Sequence, residues 1–235
     1  SEFTVSRERI FLRSPQQLVG DPTLVLRLFE FVGRHGIRLS LETERRIRDN
    51  QLYFEEYFAT ATSLWPVLKS ILSQPHAALA LRAMHETGLL LAIFPDWEQI
   101  ECLVVRDFYH RYTVDEHTLV TLEYLEELRA REDAPRREFP ELLAETENLP
   151  LLYMALLFHD TGKSTGPEGH AMGSGRLAER LLKRIGMPDS ERPTVVFLVE
   201  HHLDLSAVMN SRDLTDPATA ADLAAGYGWA QIGHT

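Results

Sequence analysis

Histidines are concentrated in the second half of this chain, and they are its residues best suited to chemistry. Of ten histidines, six lie between residues 110 and 202: His110, His117, His159, His170, His201 and His202. A neutral imidazole binds zinc, iron, manganese and related ions, and a carboxylate suits the harder members of that group. The pattern therefore indicates a divalent metal site. Mixed nitrogen and oxygen ligands leave manganese, iron, magnesium and zinc open as its occupant.

The adjacent pair His159 and Asp160 is the most informative element of this pattern. Neighbours on a helix point about 100° apart, so two adjacent ligands cannot share one face of a surface helix. They can reach one metal where a helix ends inside a bundle, and the almost wholly apolar segment 151–158 predicts such a buried helix. A buried carboxylate is costly unless it is paired, so we expect Asp160 to have a cationic partner.

Each of these residues also has an ordinary explanation. Isolated histidines are ordinary surface or core residues in most proteins, and four here are of that kind: His35, His76, His85 and His234. His110 could pack, cap a helix or lie beside ligands, and His201 with His202 could form a solvated helix face. Asp115, just before His117, is explained by helix capping alone. The metal interpretation therefore depends on the combination and order of the residues.

Helical periodicity runs along most of the chain. Asp21 and Pro22 predict a helix start, and a leucine stripe follows Asp115. Residues 131–149 are polar and contain prolines, which favours a loop, whereas 195–205 is predicted as a helix with His201 and His202 in its body. We find no β-type alternation. The prediction is an all-α protein in which a smaller helical segment, 1–100, precedes a histidine-bearing bundle, 101–235.

Composition limits the class of function. A chain of 235 residues with 44% hydrophobic and 25% charged residues is typical of a soluble globular protein. Its net charge of -11 argues against a nucleic-acid partner, and no apolar run approaches the ~20 residues of a membrane span. A single cysteine, Cys102, suits a reducing cytoplasm. Residues 1–3 resemble a cloning scar, so we expect an excised fragment.

Four stretches of the sequence carry a family resemblance. The adjacent His-Asp and its neighbouring histidines resemble the HD superfamily of metal-dependent phosphohydrolases. The resemblance is narrower to the HD domain of the bifunctional PII uridylyltransferase/uridylyl-removing enzymes, and it covers most of residues 20–225. It is carried by LRAMHETGLLLAIFPD (81–96), DFYHRYTVDEHT (107–118), LLFHDTGK (156–163) and VEHHLDLSAVMNSRDLTDPATA (199–220). The YTVDEHT string is specific, whereas His-Asp alone is weak.

This resemblance implies a helical HD domain that hydrolyses a uridylyl–tyrosine phosphodiester on the uridylylated signalling protein PII and releases UMP. His117, His159 and Asp160 match its metal ligands. His170, His201 and His202 match positions that bind a second metal in related enzymes. Lys163 matches a lysine that could stabilise phosphate charge, so Asp160 and Lys163 are the catalytic candidates.

Two further readings stay open at this point. The same site could act on a free nucleotide, or the chain could be a non-catalytic regulatory module with a vestigial site. We expect no uridylyl transfer and no glutamine control, since neither accompanying domain of the family is recognisable. The family's final aspartate also has no recognisable equivalent after the stretch from Asp213 to Asp216, which leaves open whether the ligand set is complete.

Overall fold

Helices dominate the architecture, and the all-α fold class is confirmed. The computed structural model describes residues 2–14, 17–104, 112–130, 138–165, 169–204, 207–208, 217–219 and 221. The α-helices within these ranges are α1 Gln17–Gly20, α2 Thr23–His35, α3 Leu41–Asp49, α4 Gln51–Thr60, α5 Trp65–Leu72, α6 Ala77–Glu86, α7 Leu89–Ile93, α8 Val114–Ala130, α9 Glu138–Glu145, α10 Leu149–Phe158, α11 His170–Arg184 and α12 Arg192–Glu200. Short 3-10 helices span Pro95–Gln99 and Thr161–Thr165. Among the described residues, no helix is long and apolar enough to cross a bilayer.

A small sheet corrects the expectation of a chain without strands. Strand β1, Phe3–Ser6, pairs antiparallel with β2, Arg9–Leu12, and β2 pairs parallel with β3, Arg38–Leu39. Arg7 and Glu8 have positive φ angles of 49° and 58°, as the tight turn of a hairpin requires. These strands are too short to show an alternation of apolar and polar residues in the sequence. Strand β2 has one fully buried side chain among four residues, and β3 has only two residues.

Three local predictions are also corrected. Residues 138–145, expected in a loop, form α9, whose proline at position 140 lies in the first turn, where a missing N–H is tolerated. Helix α8 begins at Val114, so Asp115 lies inside the helix rather than capping it. Helix α12 ends at Glu200, so His201 and His202 follow the helix instead of lying in its body.

The leading helices and the histidine-bearing helices share one hydrophobic core. Glu191 joins them at the surface, since it accepts a hydrogen bond from Trp65 Nε1 at 2.7 Å and pairs with Lys69 Nζ at 2.6 Å. Arg184, near the end of α11, donates to the backbone carbonyl of Phe58 at 3.0 Å and to that of Ile93. The boundary near residue 100 stays a prediction, but the two parts are packed against each other.

Gly186 supplies the test of this packing. Its φ is +80°, and a Cβ added there would lie 2.6 Å from the Thr62 carbonyl oxygen. We expect Gly186→Ala to lower the free energy of unfolding by about 2 kcal/mol or more, because it combines left-handed backbone strain with a backbone clash. Gly20→Ala is the matched control, since nothing lies within 4 Å of its added Cβ. Urea unfolding of both variants measures the difference, and equal losses would contradict this account of the contact.

Candidate metal centre

Helix ends bring the candidate ligands together. His117 lies in the first turn of α8, and His170 is the first residue of α11. His159 and Asp160 directly follow α10, and His202 lies two residues after the end of α12. The apolar helix α10 is buried along most of its length, and it carries His159 and Asp160 into the interior with 8% and 3% of their surface exposed.

The carboxylate of Asp160 lies at the centre of this arrangement. Its Oδ2 atom is 3.2 Å from His159 Nε2 and 3.7 Å from His117 Nε2. Its Oδ1 atom is 3.4 Å from His170 Nε2 and 3.5 Å from His202 Nε2. The donor atoms therefore form two groups that share Asp160, one with His117 and His159 and the other with His170 and His202.

Backbone carbonyls fix two of the imidazole rings. The Nδ1 atom of His159 lies 2.6 Å from the Leu156 carbonyl oxygen, and that of His202 lies 2.7 Å from the Val199 carbonyl oxygen. A carbonyl can only accept, so Nδ1 carries the proton in both rings and donates it. In the neutral tautomer the Nε2 lone pair then faces Asp160. This is the usual way in which a protein orients a metal-binding histidine.

The donor set fits a divalent cation on two counts. Neutral Nε2 atoms and carboxylate oxygens are both acceptors, so their convergence at 3.2 to 3.7 Å needs a positive charge between them. At bond lengths of about 2.0–2.2 Å, two ligands on one metal are about 3.0–3.5 Å apart at tetrahedral or octahedral angles. The observed separations lie close to this range. His117, His159, Asp160, His170 and His202 could therefore hold a metal.

Asp160 is ionised despite its burial. Desolvation alone would raise its pKa, but hydrogen bonds from His159 and His202, which donate from Nε2 when the ring is protonated, and from Lys163 outweigh burial and hold the pKa of this carboxyl well below its ordinary value. Lys163 lies in the following 3-10 helix, and its Nζ donates to Asp160 Oδ2 at 2.7 Å. The expected cationic partner of Asp160 is thus present, and Lys163 lies beside the candidate ligands.

His201 is the one predicted ligand that the structure places in neither donor group. Its Nδ1 atom lies 2.7 Å from Asp204 Oδ2, and its ring packs 4.4 Å from that of Phe197. The side chain is 39% exposed, against 15% for His202. The end of α12 explains this separation, because it turns two adjacent histidines in different directions. His110, Asp213 and Asp216 lie outside the described residues.

Gly162 is a residue of the site that the sequence reasoning missed. A Cβ at this position would lie 2.3 Å from the His170 carbonyl oxygen and 2.7 Å from Ser174 N. The Gly162 N–H donates to Ser174 Oγ at 2.8 Å. Only glycine allows this close approach, which joins the segment after Asp160 to the start of α11 and so to His170. The sequence signal for this close approach was the glycine that follows His159-Asp160 in the HDTGK string.

Comparison with known proteins agrees with this geometry. Residues 114–224 match the family model of the HD domain, so this part of the chain is an HD domain, and the match contains all five residues of the two donor groups. An HD domain with this donor set supports a metal-dependent phosphohydrolase. The predicted resemblance to the HD superfamily is confirmed.

Two curated relatives carry the name bifunctional uridylyltransferase/uridylyl-removing enzyme. The protein of Ruegeria pomeroyi is 31% identical over 224 residues, which cover 94% of this chain and 25% of the relative. The protein of Cereibacter sphaeroides is 32% identical over 225 residues, which cover 95% of this chain and 24% of the relative. The narrower resemblance is therefore confirmed as well, and the chain spans about a quarter of the length of these relatives.

The adjacent histidines provide a sharp test of the donor set. We expect His202→Ala to weaken manganese, iron or zinc binding at least about tenfold, and Asp160→Ala to abolish it, because Asp160 belongs to both groups. His201→Ala is the matched control and should bind metal as the wild type does. Isothermal titration and elemental analysis of protein purified without chelator measure the outcome. Loss of binding in His201→Ala with retention in His202→Ala would contradict the assigned ligands.

Proposed function

We propose that this chain hydrolyses a phosphodiester with a bound divalent metal, and that its substrate is a uridylylated PII-type protein from which it releases UMP. The observation that carries the proposal is the convergence of four imidazole Nε2 atoms on the two carboxylate oxygens of Asp160. The substrate is proposed because two relatives that align along nearly the whole chain are named uridylyl-removing.

The chain's own residues have separate roles in this proposal. His117 and His159 would hold an ion on one side of Asp160, and His170 and His202 on the other. When bound, a divalent ion would polarise the phosphoryl oxygens and acidify a water for in-line attack. The chain supplies the fixed geometry, because hydrogen bonds orient the rings of His159 and His202 before any substrate arrives.

Lys163 adds a positive charge from the protein itself. Its side chain is 11% exposed and its ammonium lies beside Asp160. An ammonium held in so buried a position stabilises negative charge on a phosphoryl oxygen more strongly than it would in water. We therefore assign Lys163 to the charge that develops on the phosphate, and Asp160 to ligand positioning and charge balance.

Access to the site is expected from the side of His117. Its side chain is 37% exposed, whereas those of His159, Asp160, His170 and His202 are 3 to 15% exposed. Substrate would therefore approach past the start of α8, while the other ligands stay shielded from water. A tyrosine-linked uridylyl group on a protein partner needs such an open side, since its carrier cannot enter a closed cavity.

The first test is metal-dependent hydrolysis. We expect the chain to release UMP from uridylylated PII and to cleave bis(p-nitrophenyl) phosphate, with His117→Ala reducing the rate about a hundredfold or more because the first donor group loses a ligand. His201→Ala serves as the control for removing a nearby histidine. Turnover that persists in excess chelator, or that His117→Ala leaves unchanged, would overturn the proposal. Cleavage of free nucleotides but not of uridylylated PII would reject the proposed substrate alone.

The second test is the response to pH. A ligating imidazole must be neutral, so metal binding and hydrolysis should both weaken as pH falls from 8 towards about 5. Asp160 should keep its charge over this range, because its pKa is held below its ordinary value. Titration with metal in buffers of different ionisation enthalpy counts the protons released. Metal affinity that is equal at both ends of this range would contradict imidazole ligation.

A further inference from the structure

A buried carboxylate near the start of α8 has no role in the site described so far. Asp115 is 4% exposed, although it lies only two residues before His117. Its Oδ2 atom is 3.6 Å from His85 Nε2, and its Oδ1 atom makes no hydrogen bond within the described part of the chain. Burying a carboxylate is costly unless a partner offsets the loss of water. The partner at hand is His85, from helix α6 of the leading segment.

Trp97 fixes which nitrogen of His85 carries the proton. The Nε1 atom of Trp97 lies 3.2 Å from His85 Nδ1, and the two rings meet edge to face. An indole N–H can only donate, so His85 Nδ1 must accept, and the ring proton of the neutral imidazole resides on Nε2. That proton points towards Asp115. Trp97, His85 and Asp115 therefore form a directed chain of polar contacts from the Pro95–Gln99 helix to α8.

A second set of contacts holds the same two helices. Arg82 lies three residues before His85 on α6, and its two terminal nitrogens bond the Glu116 carboxylate at 3.0 and 3.1 Å. The same guanidinium bonds Glu123 through Nε. One turn earlier, Ala78 N donates to Glu126 Oε2 at 2.8 Å. Positions spaced by three and four residues share one helix face, so Ala78, Arg82 and His85 lie on the same face of α6. This face contacts α8 from its first turn to Glu126.

The start of α8 determines where His117 lies. His117 is the most exposed residue of the two donor groups, at 37%, so packing around its own ring constrains it least. Its backbone is tied to the preceding turn by a hydrogen bond from His117 N to the Thr113 carbonyl at 2.8 Å. A shift of the first turn of α8 would therefore move His117 away from Asp160 and His159.

We infer that Trp97, His85 and Asp115 position His117 for metal binding, so that the leading segment completes the metal centre of the HD domain. These are positioning residues, since none of them belongs to the two donor groups. The inference rests on the proposed function and deepens it. The inference also assigns a positioning role to His85, which the sequence alone marks as an ordinary histidine.

Cobalt(II) binding to the whole chain provides the test. We expect His85→Ala to weaken cobalt binding about tenfold and to change the visible ligand-field spectrum, as loss of groups that orient ligands does. His85→Gln should restore most of the affinity, because its amide N–H can replace the imidazole donor towards Asp115. Trp97→Phe keeps the aromatic packing and removes the N–H, so it should cause a smaller loss and stays informative if His85→Ala does not fold.

Gly186→Ala separates positioning from general loss of stability. The substituted residue lies two positions beyond the far end of α11, which extends about 21 Å from His170 to Arg184, so the change should lower stability without altering cobalt affinity or spectrum. Wild-type affinity and spectrum in both His85→Ala and Trp97→Phe would overturn the inference and leave the proposed function standing. A wild-type chain that binds no metal would overturn both. Equal losses of affinity in Gly186→Ala and His85→Ala would also count against positioning.

Discussion

The buried charge of Asp160 is the constraint on which the rest of the site depends. A carboxylate with 3% exposure is stable only if positive charge or metal surrounds it. The chain meets this demand with the ammonium of Lys163 on one oxygen, and it places imidazole nitrogens that could hold a metal beside both. Five separate elements must therefore end or begin at one point. The helical bundle can be understood as the scaffold that brings these helix ends together.

The ends of α10 and α12 share the same local hydrogen-bond pattern. His159 and His202 each donate Nδ1–H to the carbonyl three residues earlier, at Leu156 and Val199. Each ring thus bonds a carbonyl of the last helical turn, a group that otherwise lacks an intrahelical partner. The same contact ends the helix and orients Nε2. It also resolves the difficulty of adjacent ligands, because Asp160 lies beyond the end of α10 and is not bound to the 100° spacing of a helix.

The sequence contained enough to predict the buried helix end and the HD domain, but not the details that depend on where helices stop. The apolar run before His159 and Asp160 required burial, and both residues are buried. Nothing in the sequence separates His201 from His202, because their different positions depend on α12 ending at Glu200, which periodicity does not mark. The close approach of Gly162 to Ser174 joins residues 12 positions apart. The contact between His85 and Asp115 joins residues 30 positions apart on two separate helices. No local pattern reports such tertiary contacts.

In the proposed function, charge balance would connect the candidate metal centre to an anionic substrate. The whole chain carries a net charge of -11, so its distant field opposes a phosphodiester, although salt screens that field beyond about 8–10 Å. Within the site, the charge of Asp160 is cancelled by that of Lys163, and neutral imidazoles add none. The two donor groups with Lys163 are therefore close to neutral by themselves. Each divalent ion that they hold would add two positive charges at a point shielded from water, where charge acts most strongly. Under the proposed function, affinity for metal and affinity for an anionic diester would therefore be coupled in this site.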